Sequence, residues 1–371
     1  MFSLFTQTRV SSVNEGVLGL HILDGEIRWV HVIGALPKAR VSGHGILPLP
    51  SYAIEKGVLS YVESITEALG VLSKYNNIPV SIIIPTEHTH VFTVAVPLKD
   101  DYTENNSSKN KIDITQRIKE VMSSYIARET RHTLDDVICE YEIVGESDNN
   151  ANTIHIVGIT YPRSLLLSYT DIVRNAGFNN IFFESLPYSV ARLHSDSKHT
   201  YLMVSIESEI SYIALVHGST VTALQKYEVG ENNLIETIKS FLSIDHDSAR
   251  RIHDKHGLRH THHEPELLKR LQMLVQPLID KLLSLREKHH ISVYQPLHDR
   301  GPIQEIVVLG RGSHILGFIE HLEQALQLPV RHVDIWRLFP EVTRTVPEID
   351  IHDIPIFAPA LAGAVEKMRK I

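Results

Sequence analysis

The residues best suited to chemistry fall in three turns and one histidine run. Gly310-Arg311-Gly312-Ser313 follows an apolar stretch, Ile303 to Leu309, that reads as a strand, and precedes a helical pattern, Ile315 to Leu326. Glycines in a strand-to-helix turn let backbone N–H groups approach an anion, and Arg311 adds a guanidinium suited to phosphate or carboxylate. The motif is short, however, and glycine is common at such turns in proteins that bind nothing. Asp24-Gly25 and Glu207-Ser208-Glu209 each separate two extended runs. Their carboxylates read either as magnesium ligands or as solvated turn residues, and the second reading is preferred because acidic turns need no special explanation.

Histidine is abundant, with 23 residues, and clusters at His253, His256, His260, His262 and His263. Imidazoles bind zinc or nickel, but a zinc site supplies a defined tetrahedral set, often with cysteine or carboxylate. Further histidines at 289, 290 and 298 point to compositional bias, so no metal site is assigned. The single cysteine, Cys139, lies in an apparent strand, and no local signature of a serine or cysteine nucleophile is present. No catalytic residue is assigned.

The elements that position these turns occur twice. Gly16 to Leu23 and Glu26 to Ile33 flank Asp24-Gly25, a hairpin signal because glycine tolerates the positive φ of a type I′ turn. A third strand follows over Val41 to Leu47, then helical spacing from Ala53 to Tyr75, then a buried strand, Pro79 to Ile84. The second half repeats the order: strands Tyr201 to Ile206, Ile210 to Val216 and Val221 to Val229, a helix Asn232 to Leu242, a long helix from Glu264 to His289, and the strand Ile303 to Leu309. Pro329 to Val333 adds a further extended segment.

Between the halves, Asp100 to Lys111 reads as a polar loop and Ile114 to Ile126 as a helix. Strands Val137 to Val144 and Thr153 to Thr160 flank a turn at 148–152, and a helix from Leu165 to Ala176 closes at Gly177. The chain then returns to the first half through Ile181 to Phe183 and a helix around Pro187 to Leu193. Duplication of this kind is the plan of an α/β, actin-like (ribonuclease H-like, duplicated) two-lobed fold with a small α+β module inserted in the first lobe. The expected division is residues 1–96 and 178–198 for the first lobe, 97–177 for the module and 199–371 for the second lobe, with a helical subdomain at about 244–263. Two unrelated α/β domains are the alternative.

Composition narrows the function. A chain of 371 residues exceeds one core, and 43% hydrophobic with 22% charged residues is ordinary for a soluble globular protein. A net charge of -8 argues against general nucleic-acid binding, which needs a Lys/Arg surplus. One cysteine fits a reducing compartment. No apolar run is long enough to span a bilayer, and the start, with Phe2, Leu4 and Phe5, lacks the features of a secretion signal. A soluble intracellular protein is expected.

Gly19-Leu20-His21-Ile22, Ile27-Arg28-Trp29-Val30, Ile156-Val157-Gly158-Ile159, Ala176-Gly177-Phe178, Tyr227-Glu228-Val229-Gly230, Ile306 to Ser313 and Phe357 to Ala364 carry a resemblance by their order and spacing. Over most of its length the chain resembles the PilM family of type IV pilus assembly proteins, relatives of the bacterial cell-division actin homologue. The resemblance implies a cytoplasmic protein, peripheral to the inner membrane, that touches the membrane only through a partner. That partner is a membrane-anchored pilus assembly protein whose short N-terminal tail lies in a groove between the first lobe and the module. It also implies ATP bound between the lobes, with magnesium, on turns reading Asp-x-Gly followed by Ser or Thr.

Against that pattern the turns are altered. His21 stands where the family has Asp and Leu23 where it has Gly, while Ser205 and Glu207 replace Asp and Gly in the second turn. The segment Ala249 to His253 also lacks the Glu and Lys the family generally has there. Asp24, Gly25, Glu207, Gly310, Arg311, Gly312 and Ser313 are therefore the candidate nucleotide contacts of a degenerate ATPase at most. The expected function is a scaffold of a type IV pilus or competence inner-membrane complex. The alternatives are an active ATP-binding actin-like ATPase or sugar-kinase relative, and a type II secretion platform component. Homo-oligomer formation stays open.

Overall fold

The computed structural model describes residues 16–34, 38–97, 114–146, 153–193, 199–259, 265–291, 301–335, 349–350 and 352–370. The terminal Phe2, Leu4 and Phe5, the loop 100–111, the turn at 148–152, and His260, His262, His263 and His298 lie outside them. The first sheet contains β1 (Val17–Leu23), β2 (Glu26–Ile33), β3 (Arg40–Pro48), β6 (Val80–Ile84) and β10 (Ile181–Ser185), in the order β10-β6-β1-β2-β3. Leu23 pairs with Glu26 across a two-residue loop, with Gly25 at φ +89. The hairpin that the Asp-Gly pair signals is present, but Asp24 is not at positive φ, so the turn is not of type I′. Strand β6, Val-Ser-Ile-Ile-Ile, is buried at every position, as expected of a parallel strand covered on both faces.

The helix expected over Ala53 to Tyr75 forms only as α1 (Val62–Gly70), with a 3-10 turn at Ser73–Tyr75. Its first third is instead a small hairpin, β4 (Ile54–Glu55) with β5 (Val58–Leu59). Lys56 and Gly57 at its tip have positive φ, which a helix cannot accommodate.

The second sheet repeats the first. Strands β11 (Thr200–Ile206), β12 (Ser211–His217), β13 (Thr220–Tyr227), β14 (Glu305–Leu309) and β15 (Val330–His332) take the order β13-β12-β11-β14-β15. Each sheet thus has three antiparallel strands followed by two added in parallel.

The inserted module is β7 (His90–Pro97), α2 (Ile114–Thr130), β8 (Val137–Glu146) and β9 (Thr153–Pro162), with strand order β7-β9-β8. Phe92, Val96, Ile118, Met122, Ile126 and Ile156 contribute to its core. Helix α3 (Arg163–Asn175) ends in a Schellman motif: Phe178 N–H donates to Val173 O and Gly177 N–H to Arg174 O, with Gly177 at φ +97.

Apolar faces dictate the layers. Tyr169, Ile172 and Val173 of α3 join Ile65 and Leu69 of α1 against Leu18 and Leu20 on one face of the first sheet. On one face of the second sheet pack α5 (Glu231–Leu242), α6 (His246–His256), α7 (Pro265–Ile291) and α8 (Phe318–Leu326). Between the two sheets lie α4 (Leu186–Leu193) and α9 (Ile354–Lys370), whose residues join Val30, Ile83, Met203 and Val307 in one shared core. Helix α9 follows the second lobe in sequence yet packs on β1, β2 and β6 of the first sheet. Its alanine-rich face allows close approach: a Cβ on Gly19 would come within 1.9 Å of Ala360 O. Among the described residues no helix is long and apolar enough to cross a membrane.

Candidate functional site

The duplicated hairpin turns face one another across the cleft between the lobes, and side chains of the protein itself join them. Arg28 on β2 is fully buried, and its Nη1 lies 2.9 Å from Oε2 of Glu207 in the opposite turn. Its Nε is 2.6 Å from Glu26 Oε1, and Glu26 Oε2 lies 2.5 Å from Arg311 Nη2. Glu207, Arg28, Glu26 and Arg311 thus alternate in charge and cross between the lobes twice. Ser205 Oγ donates to Glu207 Oε1 at 2.9 Å, and Arg28 Nη1 also reaches Ile356 O at 3.3 Å.

The electrostatics follow from burial and pairing. Burial alone would depress the Arg28 guanidinium, but the carboxylates of Glu207 and Glu26 outweigh it and hold its pKa above the ordinary value. Burial pushes the Glu26 carboxyl up, and the charges and hydrogen bonds of Arg28 and Arg311 more than reverse this, leaving its pKa lowered. His21 pairs with Arg28 across β1 and β2. Burial first, then the Arg28 charge, keeps its pKa well below the usual imidazole range, so it is neutral.

All the expected contact residues except Gly25 have structural partners. Asp24 turns toward the small hairpin of its own lobe and accepts from Lys56 N–H at 2.7 Å and Gly57 N–H at 3.2 Å. Burial, the largest influence on Asp24, raises its pKa. Gly25 supplies the positive φ of its turn and faces open space. Gly310, at φ +84, passes so close to the second turn that a Cβ would sit 2.4 Å from Ile206 O and 2.7 Å from Glu207 Oε1. A Cβ on Gly312 would sit 2.3 Å from Ile206 Cγ2. The glycines are therefore required by packing between two loops. Ser313 is buried and donates to Gly310 O at 2.7 Å. The residues after Gly310 form a 3-10 turn, Arg311–His314, and α8 starts only at Phe318 after Gly317. The expected helix N-terminus at this motif is thus displaced along the chain.

Four amides beside these turns are engaged by backbone carbonyls. Glu231 N–H and Asn232 N–H, at the start of α5, donate to Glu207 O at 3.0 Å and Ser208 O at 2.8 Å. Glu207 N–H donates to Ile210 O at 3.0 Å, and Gly310 N–H to Pro355 O at 2.9 Å. A triphosphate here would have to displace these bonds and the buried Glu207–Arg28 pair. The two hairpin turns lack the Asp-x-Gly-Ser/Thr pattern the resemblance implies, and the Glu207–Arg28 pair stands between them.

Sequence reasoning missed Glu26 and Arg28, reading both only as strand residues. The signal was a charged pair at alternate positions of an otherwise apolar strand, since a buried Arg requires a partner. Further contacts join the second lobe to the first and to the module, Lys56–Glu228 and Lys226–Glu87 O among them. Tyr188 of α4 donates to Val221 O at 3.0 Å, and Thr93 of β7 donates to Thr222 O at 3.1 Å.

A second candidate site lies on the module. A groove of about 330 Å³ runs between α2 and β7, lined by Val94, Arg117, Val121, Tyr125 and Arg128 among others. Within the described sheet β7 pairs only with β9, and it also lies beside β13 of the second lobe, where Thr93 donates to Thr222 O.

No protein-family model matches the sequence, and no curated protein matches it. Solved structures do. A chain of a PilM–PilN type IV pilus biogenesis complex superposes with a TM-score of 0.74 at 16% identity, over 95% of this chain and 98% of that one. A MamK double helical filament gives 0.53 at 12% identity, over 96% and 99% of the two chains. MreB5 of Spiroplasma citri bound to ADP gives 0.52 at 11% identity, again over 96% and 99%. These likenesses and the duplicated sheets give the fold: the chain is an α/β protein of the two-lobed actin-like class.

Proposed function

We propose that this chain is a PilM-like scaffold in a type IV pilus or competence inner-membrane assembly complex, with weak or lost ATPase activity. The observation that carries the proposal is the Glu207–Arg28–Glu26–Arg311 alternation, buried at Glu207 and Arg28, which ties the lobes together where a nucleotide would otherwise link them. The likeness to a chain of a PilM–PilN complex supports the choice of machine. In this reading a two-lobed body carries a module that binds the partner, and the expected bounds of 97 and 177 shift: β7, from His90, belongs to the module sheet, while α3 packs in the core of the first lobe. The protein is cytoplasmic and reaches the inner membrane through that partner.

In this reading the N-terminal tail of the membrane-anchored protein binds the groove between α2 and β7, which lies within the module and not, as the resemblance implies, between the module and the first lobe. A tail lying along this groove would set apolar side chains against Val94, Val121 and Tyr125 and basic or acidic ones against Glu120, Arg117 and Arg128. Calorimetric titration of the purified chain tests both halves. Mg-ATP is expected to give no binding at micromolar concentrations and no turnover, whereas the tail peptide of a membrane protein encoded beside this one binds. Micromolar ATP affinity with steady hydrolysis would overturn the first half. A folded sample that ignores the peptide, or a Tyr125→Ala variant that binds it as well as the parent, would overturn the second. Loss of a buried aromatic anchor typically weakens such contacts about tenfold or more.

A further inference from the structure

Glu231 opens α5 with its backbone engaged on the Glu207 loop, while its side chain turns toward α6. The side chain is 8% exposed, and its Oε1 lies 3.9 Å from Nδ1 of His253, itself 4% exposed. The same Nδ1 lies 3.0 Å from Oδ1 of Asp254, whose side chain is 61% exposed. Glu231 Oε2 has no hydrogen-bond partner among the described residues, and neither has His253 Nε2. A carboxylate kept from water with an oxygen unpaired calls for a cation or a proton. Burial raises the Glu231 pKa, only partly offset by His253, Arg311 and Arg250.

We propose that Glu231, His253 and Asp254 form a zinc site that joins α5 to α6. One atom from each residue lies within 4.8 Å of the others. Tetrahedral zinc with bonds of about 2.0–2.1 Å places neighbouring ligand atoms roughly 3.3 Å apart. The separations of 3.0 and 3.9 Å bracket that value and the third is within 4.8 Å. The ion would therefore draw the Glu231 carboxylate inward and take the place of the His253 Nδ1–Asp254 hydrogen bond. One nitrogen and two carboxylate oxygens suit zinc better than magnesium or calcium, which prefer six or more oxygen ligands. Asp254 stands on the solvent side, giving the ion a route in and leaving the fourth position to water. Arg311 and Arg250 bear on the same carboxylate and lower its affinity, but Arg311 is already paired with Glu26. Through the Glu231 N–H on Glu207 O, the ion would brace the turn that carries the cleft's buried pair.

With 23 histidines in the chain, zinc stoichiometry alone decides nothing, so the measurement is a difference between variants. The full chain, stripped with chelator, is titrated with zinc against a competing chelator, and cobalt is added separately for its visible absorption. The parent is expected to hold one equivalent at least tenfold more tightly than Glu231→Gln or Asp254→Asn, and only the parent gains thermal stability with zinc. Asp254 is exposed, so its variant folds regardless. Equal zinc affinity in parent and variants, or a parent whose melting temperature ignores zinc, overturns the site.

Discussion

Arg28 Nη1 sits 2.9 Å from Glu207 Oε2, joining a strand of one lobe to the turn of the other with side chains 0% and 3% exposed. Such a pair is costly to desolvate and far costlier to leave half made. Arg28→Met and Glu207→Leu alone should each cost about 3–5 kcal/mol by stranding a buried charge. The double variant should recover much of that loss, although Glu26 then keeps only Arg311. Denaturant unfolding of the four proteins gives the coupling energy directly. Additive losses would mean the two side chains do not act together.

Acid should weaken the same network through Glu26. Its pKa in the folded chain is lowered, because Arg28 and Arg311 outweigh the effect of burial. Its unfolded value is about 4.3. A lowered carboxyl pKa contributes stability that is complete above the unfolded value and is lost as pH falls through the folded one. The parent should therefore lose stability steeply below about pH 4. Glu26→Gln should be less stable at pH 7, by about 1–3 kcal/mol, and show a flatter acid limb. Urea midpoints between pH 3 and 7 check this, and parallel curves would contradict it.

The fold was legible because its signals are local and repeated. Asp24-Gly25 between apolar runs gives the first hairpin, Gly177 gives the end of α3, and the recurrence of three strands gives the second lobe. The site was legible only in outline. Gly310 and Gly312 looked like an anion cradle because a glycine says that something comes close, not what. Here the close neighbour is Ile206 of another turn, a contact set by tertiary packing. Asp24 likewise finds its partners at Lys56 and Gly57, in a hairpin that helical spacing concealed. No sequence window holds Arg28 and Glu207 together, so the pair becomes visible only once both sheets are placed.

Gly19 gives a test of the packing of α9. An alanine Cβ would lie 1.9 Å from Ala360 O and 2.8 Å from Ala360 C, both backbone atoms that cannot rotate away. Gly19→Ala should cost about 1–3 kcal/mol through displacement of the helix. Gly70, at the end of α1, has nothing within 4 Å of its Cβ position. Gly70→Ala should be neutral or stabilising by up to about 1 kcal/mol. Thermal melts of the two variants should shift in opposite directions or differ by several degrees, and equal melting points would exclude close packing at Gly19.

Cys139 reports on the module without any introduced cysteine. It is the only cysteine in the chain, half-buried on β8 in register with Thr160. Burial, then the neighbouring Glu140 charge, pushes its thiol up to about 12. At pH 8 only about one molecule in ten thousand would carry the thiolate, against roughly a quarter for an ordinary cysteine near 8.5. Alkylation of the folded chain should therefore be slower than in denaturant by on the order of a thousandfold. Because the thiolate is the nucleophile, reaction in the native protein should follow opening of the module sheet and slow further when a peptide occupies the α2–β7 groove. Mass spectrometry of iodoacetamide labelling at pH 8 measures both rates. Comparable labelling of native and denatured chain would place Cys139 in an open, solvated setting at odds with the packing of β8 on β9.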